Sequence, residues 1–297
     1  MPKHNNKWFY HALTLLTVVV WVVAFVNTKI LIAAHLTPTE IFVYRIIVAY
    51  IGLLAVSRFR ITFNGWRDEA LFAALGITGG SLYFICQNTA LKLTLMTDVG
   101  VLIALNPLLT TLLAAIFLRE ERFTWLKLAG SAIAFAGVGM LTFENGFVWG
   151  DGLLGDILAF GAALSWAIYS VILKRLNDRY SPLTITRKTF FYGLLTALPV
   201  MLSDTLTPLS TLAQPIVWGN LVYLGLIASM AAYFAWGKAT REIGAVSTTN
   251  YLYLNPVISM IIAWALYGES VGAVGMLGCL LIFAGILIVQ HHATARR

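Results

Sequence analysis

Residues 99–118, VGVLIALNPLLTTLLAAIFL, form an apolar run long enough to cross a membrane. The run contains no charged residue, and a helix of about 20 residues spans the roughly 30 Å hydrocarbon core of a bilayer. Similar runs recur along the whole chain. Because backbone amides in lipid must be paired internally, and because the runs lack the alternation of barrel strands, they are predicted to be transmembrane helices.

The composition supports a membrane protein. Of the 297 residues, 11% are charged and 59% are hydrophobic, whereas about a quarter of the residues in soluble domains are charged. The net charge of +7 is typical of basic cytoplasmic loops and does not require a nucleic-acid partner. The two cysteines, Cys86 and Cys279, lie in apolar runs without metal-ligand spacing, so no metal or cofactor is predicted.

An all-α membrane protein with ten transmembrane helices is predicted. The first run is too long for a signal peptide and lacks a cleavage site, so we expect it to remain as the first helix. The seventh contains Arg187 and Lys188, which we expect to snorkel to the interface. The predicted spans are Trp8–Thr28, Thr39–Val56, Leu71–Leu91, Val99–Leu118, Trp125–Phe143, Leu153–Leu173, Leu183–Leu202, Val217–Trp236, Val246–Tyr267 and Val271–Gln290.

The basic residues predict the orientation. With both termini in the cytoplasm, all but three of the 20 Lys and Arg residues fall on the cytoplasmic side. The exceptions are Lys29 and Lys92 on the far side and Arg45 within the second span. An incorrect number of spans would have mixed the basic residues between the two sides.

Several short patterns occur twice, 145 to 149 positions apart. They are Asn106-Pro107 with Asn255-Pro256, Gly130 and Phe135-Ala136-Gly137 with Gly278 and Phe283-Ala284-Gly285, and Trp21 and Lys29 with Trp166 and Lys174. Five spans per half is an odd number, so the halves, residues 1–146 and 147–297, are predicted to have opposite orientations. Inverted repeats are typical of secondary transporters that hold substrate near the midplane.

The ordered set of motifs resembles the EamA-type members of the drug/metabolite transporter superfamily. The resemblance covers nearly the whole chain and rests on Pro38 with Arg45, Asn106-Pro107, Leu118-Arg119-Glu120-Glu121-Arg122, Gly130, Gly137, Asn255-Pro256, Tyr267-Gly268-Glu269, Gly278 and Gly285. One departure is Thr189, which stands roughly where Arg45 stands in the first half. A basic site would therefore be one-sided.

This resemblance implies a secondary transporter that exports small organic metabolites, often amino acids, through a central cavity between the halves. It implies a multi-pass protein of the plasma membrane, here a bacterial inner membrane. The expected partners are the lipid bilayer and a small-molecule substrate. The sequence does not distinguish a monomer from a homodimer, and it does not identify the coupling ion.

Arg45 is the first candidate for substrate binding, because a charge inside a span usually faces a cavity or a partner. A guanidinium binds a carboxylate in bidentate geometry, which favours amino acids or related zwitterions. The alternative is that Arg45 snorkels or pairs with Glu40, so that the substrate would be an uncharged or aromatic metabolite. A membrane scaffold or receptor also stays open.

Aromatic and polar residues complete the candidate site. Trp21 and Trp166 lie at matching depths, and aromatic walls with a few polar groups are typical of ligand cavities. The remaining candidates are Phe25, Tyr83, Gln87, Tyr169, Tyr233, Trp236, Thr248, Tyr251 and Asn255. The alternatives are helix packing for the aromatic residues and hydrogen bonding to the backbone for Asn106 and Asn255. Pro107 and Pro256 are predicted to mark kinks or hinges.

No Asp or Glu lies in the middle of a predicted span, which argues against coupling through a buried carboxylate. The chain lacks an H-E-x-x-H pair and paired catalytic carboxylates, so an enzyme is not expected. It also lacks the rings of charge or the filter sequence that a channel would show.

Overall fold

The computed structural model describes residues 7–56, 63–94, 96–118, 124–143, 152–267 and 272–294. Some predicted features lie outside these residues. They include Arg119-Glu120-Glu121-Arg122 and Gly268-Glu269 of the family motifs. Several of the basic residues used to predict the orientation also lie outside, among them Lys3, Arg58, Arg60, Arg296 and Arg297.

The described residues form α-helices joined by short connections, in agreement with the predicted all-α class. The longer helices are α1 to α10, and a single helical turn at Leu209–Leu212 precedes α8. In chain order they are α1 (Lys7–Ala33), α2 (Pro38–Val56), α3 (Trp66–Leu93), α4 (Met96–Ile103 and Asn106–Phe117), α5 (Trp125–Phe143), α6 (Leu153–Asn177), α7 (Pro182–Leu202), α8 (Pro215–Ile243), α9 (Ala245–Asn250, Tyr251–Tyr253 and Leu254–Tyr267) and α10 (Ala273–Thr294).

Among the described residues, eight helices are long and apolar enough to cross a membrane: α1–α6, α8 and α10. The other two coincide with the seventh and ninth predicted spans but differ from simple apolar helices. The helix α7 carries Arg187 and Lys188, and α9 is divided into three pieces by a 3₁₀ turn. The count of ten spans and the cytoplasmic termini therefore remain predictions.

Four helices depart from regular α geometry near their middles. In α3 and α8, π-helical segments occupy Ile77–Ser81 and Tyr223–Ala231. In α4, the helix is interrupted at residues 104–105, directly before Asn106-Pro107. In α9, the 3₁₀ turn Tyr251–Tyr253 directly precedes Leu254-Asn255-Pro256. Proline has no backbone N–H and its ring crowds the preceding turn, which accounts for the two interruptions.

The helices α5 and α10 touch through glycines. A Cβ placed on Gly137 would lie 2.5 Å from the carbonyl oxygen of Gly278, and one on Gly278 would lie 2.7 Å from that of Gly137. Gly130 and Gly285 show the same reciprocal contact at 2.9 and 2.4 Å. Only glycine allows the two backbones to approach this closely, as at many membrane helix pairs.

A second pair of close contacts joins the two parts of the chain. A Cβ on Gly76 of α3 would lie 2.8 Å from the carbonyl oxygen of Thr189 in α7. A Cβ on Gly225 of α8 would lie 2.9 Å from the carbonyl oxygen of Arg45 in α2. Thr189 and Arg45 are the two positions matched in the sequence, and Gly76 and Gly225 are 149 positions apart, like the two Asn-Pro pairs.

Candidate functional site

A pocket lies where helices from both parts of the chain meet. Its unfilled space is about 590 Å³ with the open mouth included. It is lined by Trp21, Ala24, Phe25, Thr28, Arg45, Tyr83, Phe84, Gln87, Asn88, Ile103, Asn106, Trp166, Tyr233, Leu252 and Asn255. The predicted residues brought together here are Trp21, Phe25, Arg45, Tyr83, Gln87, Trp166, Tyr233 and Asn255.

Arg45 is the cationic group of this pocket. Its side chain is buried, with 4% of the residue exposed, and its Nε donates a hydrogen bond to Ser229 Oγ at 2.9 Å. Its Cζ lies 4.6 Å from the ring centre of Phe84, as in a cation–π contact. The structure describes no salt bridge to Arg45 and no hydrogen bond to its two Nη groups. The two Nη groups of the guanidinium are therefore available to a ligand.

The predicted alternative that Arg45 pairs with Glu40 is wrong. Glu40 begins α2 in a capping box, in which Thr37 N–H donates to Glu40 Oε2 at 2.9 Å and Glu40 N–H donates to Thr37 Oγ1 at 3.2 Å. The backbone N–H and the hydroxyl of Thr207 each donate to this carboxylate at 2.7 Å. These donors pair with the Glu40 carboxylate near the N-terminal end of α2. Through Thr207 the carboxylate also binds the connection that precedes α8.

Aromatic rings form one wall of the pocket. The ring centre of Trp21 lies 5.3 Å from that of Trp166 and 4.8 Å from that of Trp236. Trp21 Nε1 donates to the carbonyl of Ala228 at 2.9 Å, and Tyr233 Oη donates to the carbonyl of Gly79 at 2.7 Å. The two matched tryptophans therefore pack against each other and line the pocket as well.

Four predicted site residues do not line the pocket. Tyr169 and Trp236 are almost fully buried behind the rings of Trp166 and Trp21. Thr248 donates to the carbonyl of Gly244 in its own helix at 2.7 Å, and Tyr251 Oη lies 2.9 Å from His11 Nδ1. The regular helical period fails in α9 because the 3₁₀ turn has about 3.0 residues per turn, so residues before the turn point elsewhere.

Several buried polar atoms of the pocket residues have no hydrogen-bond partner among the described residues. They are Gln87 Oε1, Asn106 Oδ1, Trp166 Nε1 and Asn255 Oδ1. The alternative that the two asparagines pair with backbone carbonyls freed by proline concerns their NH2 groups, because a carbonyl oxygen accepts hydrogen bonds, and it stays a prediction. Buried polar atoms without a partner are rare and often mark functional positions. Asn106 was missed as a site residue, although its match to Asn255 could have identified it.

The part of α3 and α7 away from the pocket is joined by charged residues. Lys188 Nζ contacts Glu69 Oε1, Tyr192 Oη donates to Glu69 Oε2 at 2.7 Å, and Arg179 Nη1 lies 2.8 Å from Asp68 Oδ1. The expected snorkelling of Lys188 is wrong, since its residue is 6% exposed and its charge is paired inside the protein. The described residues contain no cluster of His, Cys, Asp and Glu suited to a metal ion.

Comparisons with known proteins identify related sequences. Residues 8–143 and 153–290 match the model of the EamA-like transporter family. A "Probable terminal-alkyne amino-acid exporter" of Streptantibioticus cattleyicolor is 30% identical over 290 residues, covering 95% of this chain and 93% of the relative. A "Probable amino-acid metabolite efflux pump" of Salmonella typhimurium is 25% identical, with 96% of each chain covered.

One solved crystal structure has a similar fold. It covers 97% of this chain and 98% of its own, with a TM-score of 0.74 and 20% sequence identity. At that identity the likeness concerns the fold alone.

Proposed function

The chain belongs to the EamA-like transporter family as a multi-pass protein of the plasma membrane, and on this premise we propose that it exports amino acids or related zwitterions by alternating access. The two relatives named above are exporters of amino acids or amino-acid metabolites by their descriptions. The pocket between the two parts of the chain is the proposed substrate cavity.

The buried guanidinium of Arg45 is the observation that carries the proposal. A buried charge without a counter-ion is costly, so a site that keeps one is stabilised when an anion arrives. Ser229 and Phe84 fix one edge and one face of the guanidinium, and its two Nη groups suit both oxygens of a carboxylate. The aromatic rings nearby would accommodate an apolar side chain.

The reciprocal glycine contacts support the proposed architecture of two inverted repeats, residues 1–146 and 147–297. A two-fold axis that exchanges Gly130 with Gly278 and Gly137 with Gly285 converts the contact Gly130–Gly285 into Gly278–Gly137, and both contacts occur. In this architecture ten helices cross the membrane, α7 and α9 included, and both termini face the cytoplasm.

The position of the pocket along its helices supports an alternating-access cycle. In the proposed orientation, Phe25 and Thr28 lie toward the outer end of α1, and Arg45 lies near the outer start of α2. On the cytoplasmic side, Trp236 and Tyr169 fill the space behind the pocket, and His11 contacts Tyr251 between α1 and α9. We infer that this state is open outward, so that export requires these inner contacts to separate.

Counterflow in proteoliposomes tests the function. Vesicles preloaded with one unlabelled amino acid are assayed for uptake of the same labelled compound, across a panel of amino acids and deaminated analogues. We expect Arg45→Ala to lower flux of carboxylate substrates by about tenfold or more, since a hydrogen bond to a charged group contributes about 1.5–3 kcal/mol. Arg45→Lys should be intermediate, because lysine cannot bind in bidentate geometry.

Arg179→Ala is the control, because that arginine is half-exposed and its salt bridge lies away from the pocket. Full flux of carboxylate substrates through a folded Arg45→Ala protein would exclude the carboxylate clamp. A wild-type protein without counterflow for any compound would exclude the carrier itself.

A second candidate is a carrier of uncharged or aromatic metabolites in which Arg45 is structural. The bond from Arg45 to Ser229 joins α2 to α8 and is the observation that favours it. In that case Arg45→Ala should lower thermal stability and should affect charged and uncharged substrates alike.

A further inference from the structure

We propose that Gln87, Asn106 and Asn255 form a subsite for the ammonium group of the substrate, separate from the carboxylate site at Arg45. The inference rests on the proposed function and assigns roles to residues of the same pocket. These three residues line the pocket, and each has a side-chain amide oxygen without a partner among the described residues. Gln87 and Asn106 are 5% and 1% exposed, so water cannot easily satisfy these oxygens.

An amide oxygen is a hydrogen-bond acceptor, and an ammonium group is a donor of three N–H bonds without any acceptor. A buried acceptor without a donor raises the free energy of the empty site by about 1–3 kcal/mol. Binding an ammonium group would remove this cost at all three oxygens. A substrate that lacks the amine would leave them unpaired, so the arrangement favours zwitterions over simple carboxylates.

The helix interruption in α4 adds one further candidate acceptor. Pro107 and Pro256 cannot donate to the carbonyl groups four residues earlier, which belong to Ile103 and Leu252. Both of these residues line the pocket. In the 3₁₀ turn the N–H of Leu254 turns toward Leu252 O, whereas the carbonyl of Ile103 loses the donor that a regular helix would supply. Interrupted helices offer cation-binding carbonyl oxygens in many transporters.

The two proposed subsites lie next to each other along α3. The guanidinium of Arg45 lies over Phe84, and Gln87 follows three residues later, so both occupy adjoining faces of one helical turn. Within the described residues, no carboxylate lines the pocket. A zwitterion therefore matches the pocket, because its carboxylate faces the single positive charge and its ammonium faces neutral oxygens.

Binding to the purified protein tests the subsite independently of transport. Quenching of tryptophan fluorescence is measured with L-phenylalanine, with 3-phenylpropanoate, which lacks the amine, and with 2-phenylethylamine, which lacks the carboxylate. The variants are Asn106→Leu and Asn255→Leu, which remove the acceptors at similar volume. Asn177→Leu is the matched control, since Asn177 is also buried with an unpartnered Oδ1 but does not line the pocket.

We expect both pocket variants to weaken L-phenylalanine binding by about tenfold or more and 3-phenylpropanoate binding by less than about twofold. The control should leave both within about twofold of the wild type. Asn106→Asp keeps the acceptor oxygen, replaces the NH2 group by a second acceptor oxygen and adds a negative charge, so it should strengthen binding of 2-phenylethylamine. This variant also keeps the test valid if a leucine variant does not fold.

Equal weakening of all three ligands, no weakening, or no binding to the wild type would overturn the subsite. So would a requirement for Na⁺ that is lost in the asparagine variants, because the oxygens would then bind a free alkali cation. Counterflow distinguishes a failure of the subsite from a failure of the proposed transport function. Amino-acid flux without amine-selective loss contradicts the subsite alone, whereas amine-selective binding without flux contradicts the transport function alone.

Discussion

Replacing Gly137 with alanine should force α5 and α10 apart. The new Cβ would lie 2.5 Å from Gly278 O and 2.9 Å from Ile282 N, and both are backbone atoms that cannot rotate away. Ordinary contacts begin near 3.4 Å, so the helices must separate by roughly 1 Å. Such overpacking costs about 1–3 kcal/mol, while alanine in a helix recovers about 1 kcal/mol relative to glycine.

The matched control is Gly139→Ala in the same helix, where the closest atom to a new Cβ is Phe143 Cε2 at 3.7 Å. This variant has the same gain in helix propensity without the clash, so the two proteins should differ in stability by about 1–3 kcal/mol. For a chain of this order of size, 1 kcal/mol of stability shifts the thermal midpoint by roughly 2–4 °C. Gly137→Ala should therefore unfold several degrees below Gly139→Ala.

The measurement is the loss of monodisperse protein on size-exclusion chromatography after heating in detergent. Equal midpoints for Gly137→Ala and Gly139→Ala would show that the two helices do not meet through this glycine. The reasoning about the proposed two-fold axis would then lose its main support.

Three other variants test contacts described above. Glu40→Ala should lower the thermal midpoint, because it removes the carboxylate that accepts from Thr207 and caps α2. Lys188→Met and Glu69→Gln should each destabilise the protein by about 3–5 kcal/mol, because each leaves a buried charged partner unpaired. The double variant should be more stable than the sum of the two single effects predicts. Trp21→Ala should raise the half-saturation concentration for counterflow, because Trp21 lines the pocket.

Each variant has its own control. Asp204→Ala changes an exposed carboxylate near the same connection and should leave the midpoint unchanged. Strict additivity of the Lys188 and Glu69 effects would mean that the two side chains do not interact. Trp218→Ala changes a half-exposed tryptophan of α8, and a similar change in half-saturation for both tryptophan variants would place Trp21 in packing alone.

The helices were predictable because each apolar run must pair its own backbone in lipid. The presence of Arg45, Trp21 and Trp166 in one pocket was predictable for a related reason, since a charge inside a span usually faces a cavity or a partner and the two tryptophans match in depth. Their role in substrate binding stays a prediction. The repeated Asn-Pro pairs marked the two interruptions of α4 and α9.

Other features depend on contacts between distant segments, which periodicity cannot supply. The pairing of Lys188 with Glu69 and the capture of Glu40 by Thr207 each join residues more than 100 positions apart. Thr248 and Tyr251 were assigned to the pocket by a regular helical period that the 3₁₀ turn of α9 interrupts. The eight apolar helices do not include α7, because its buried cations lower its hydropathy.

The glycine contact between α5 and α10 has a consequence for biosynthesis. The ribosome completes α5 at residue 143, but α10 begins only at Ala273 near the end of the chain. At about 5–20 residues per second, on the order of ten seconds pass between the synthesis of α5 and that of α10. During this interval the glycine surface of α5 must contact lipid or the insertion machinery instead of α10. Nascent chains arrested before Ala273 should therefore leave the glycine surface of α5 without α10 and become targets for membrane proteases.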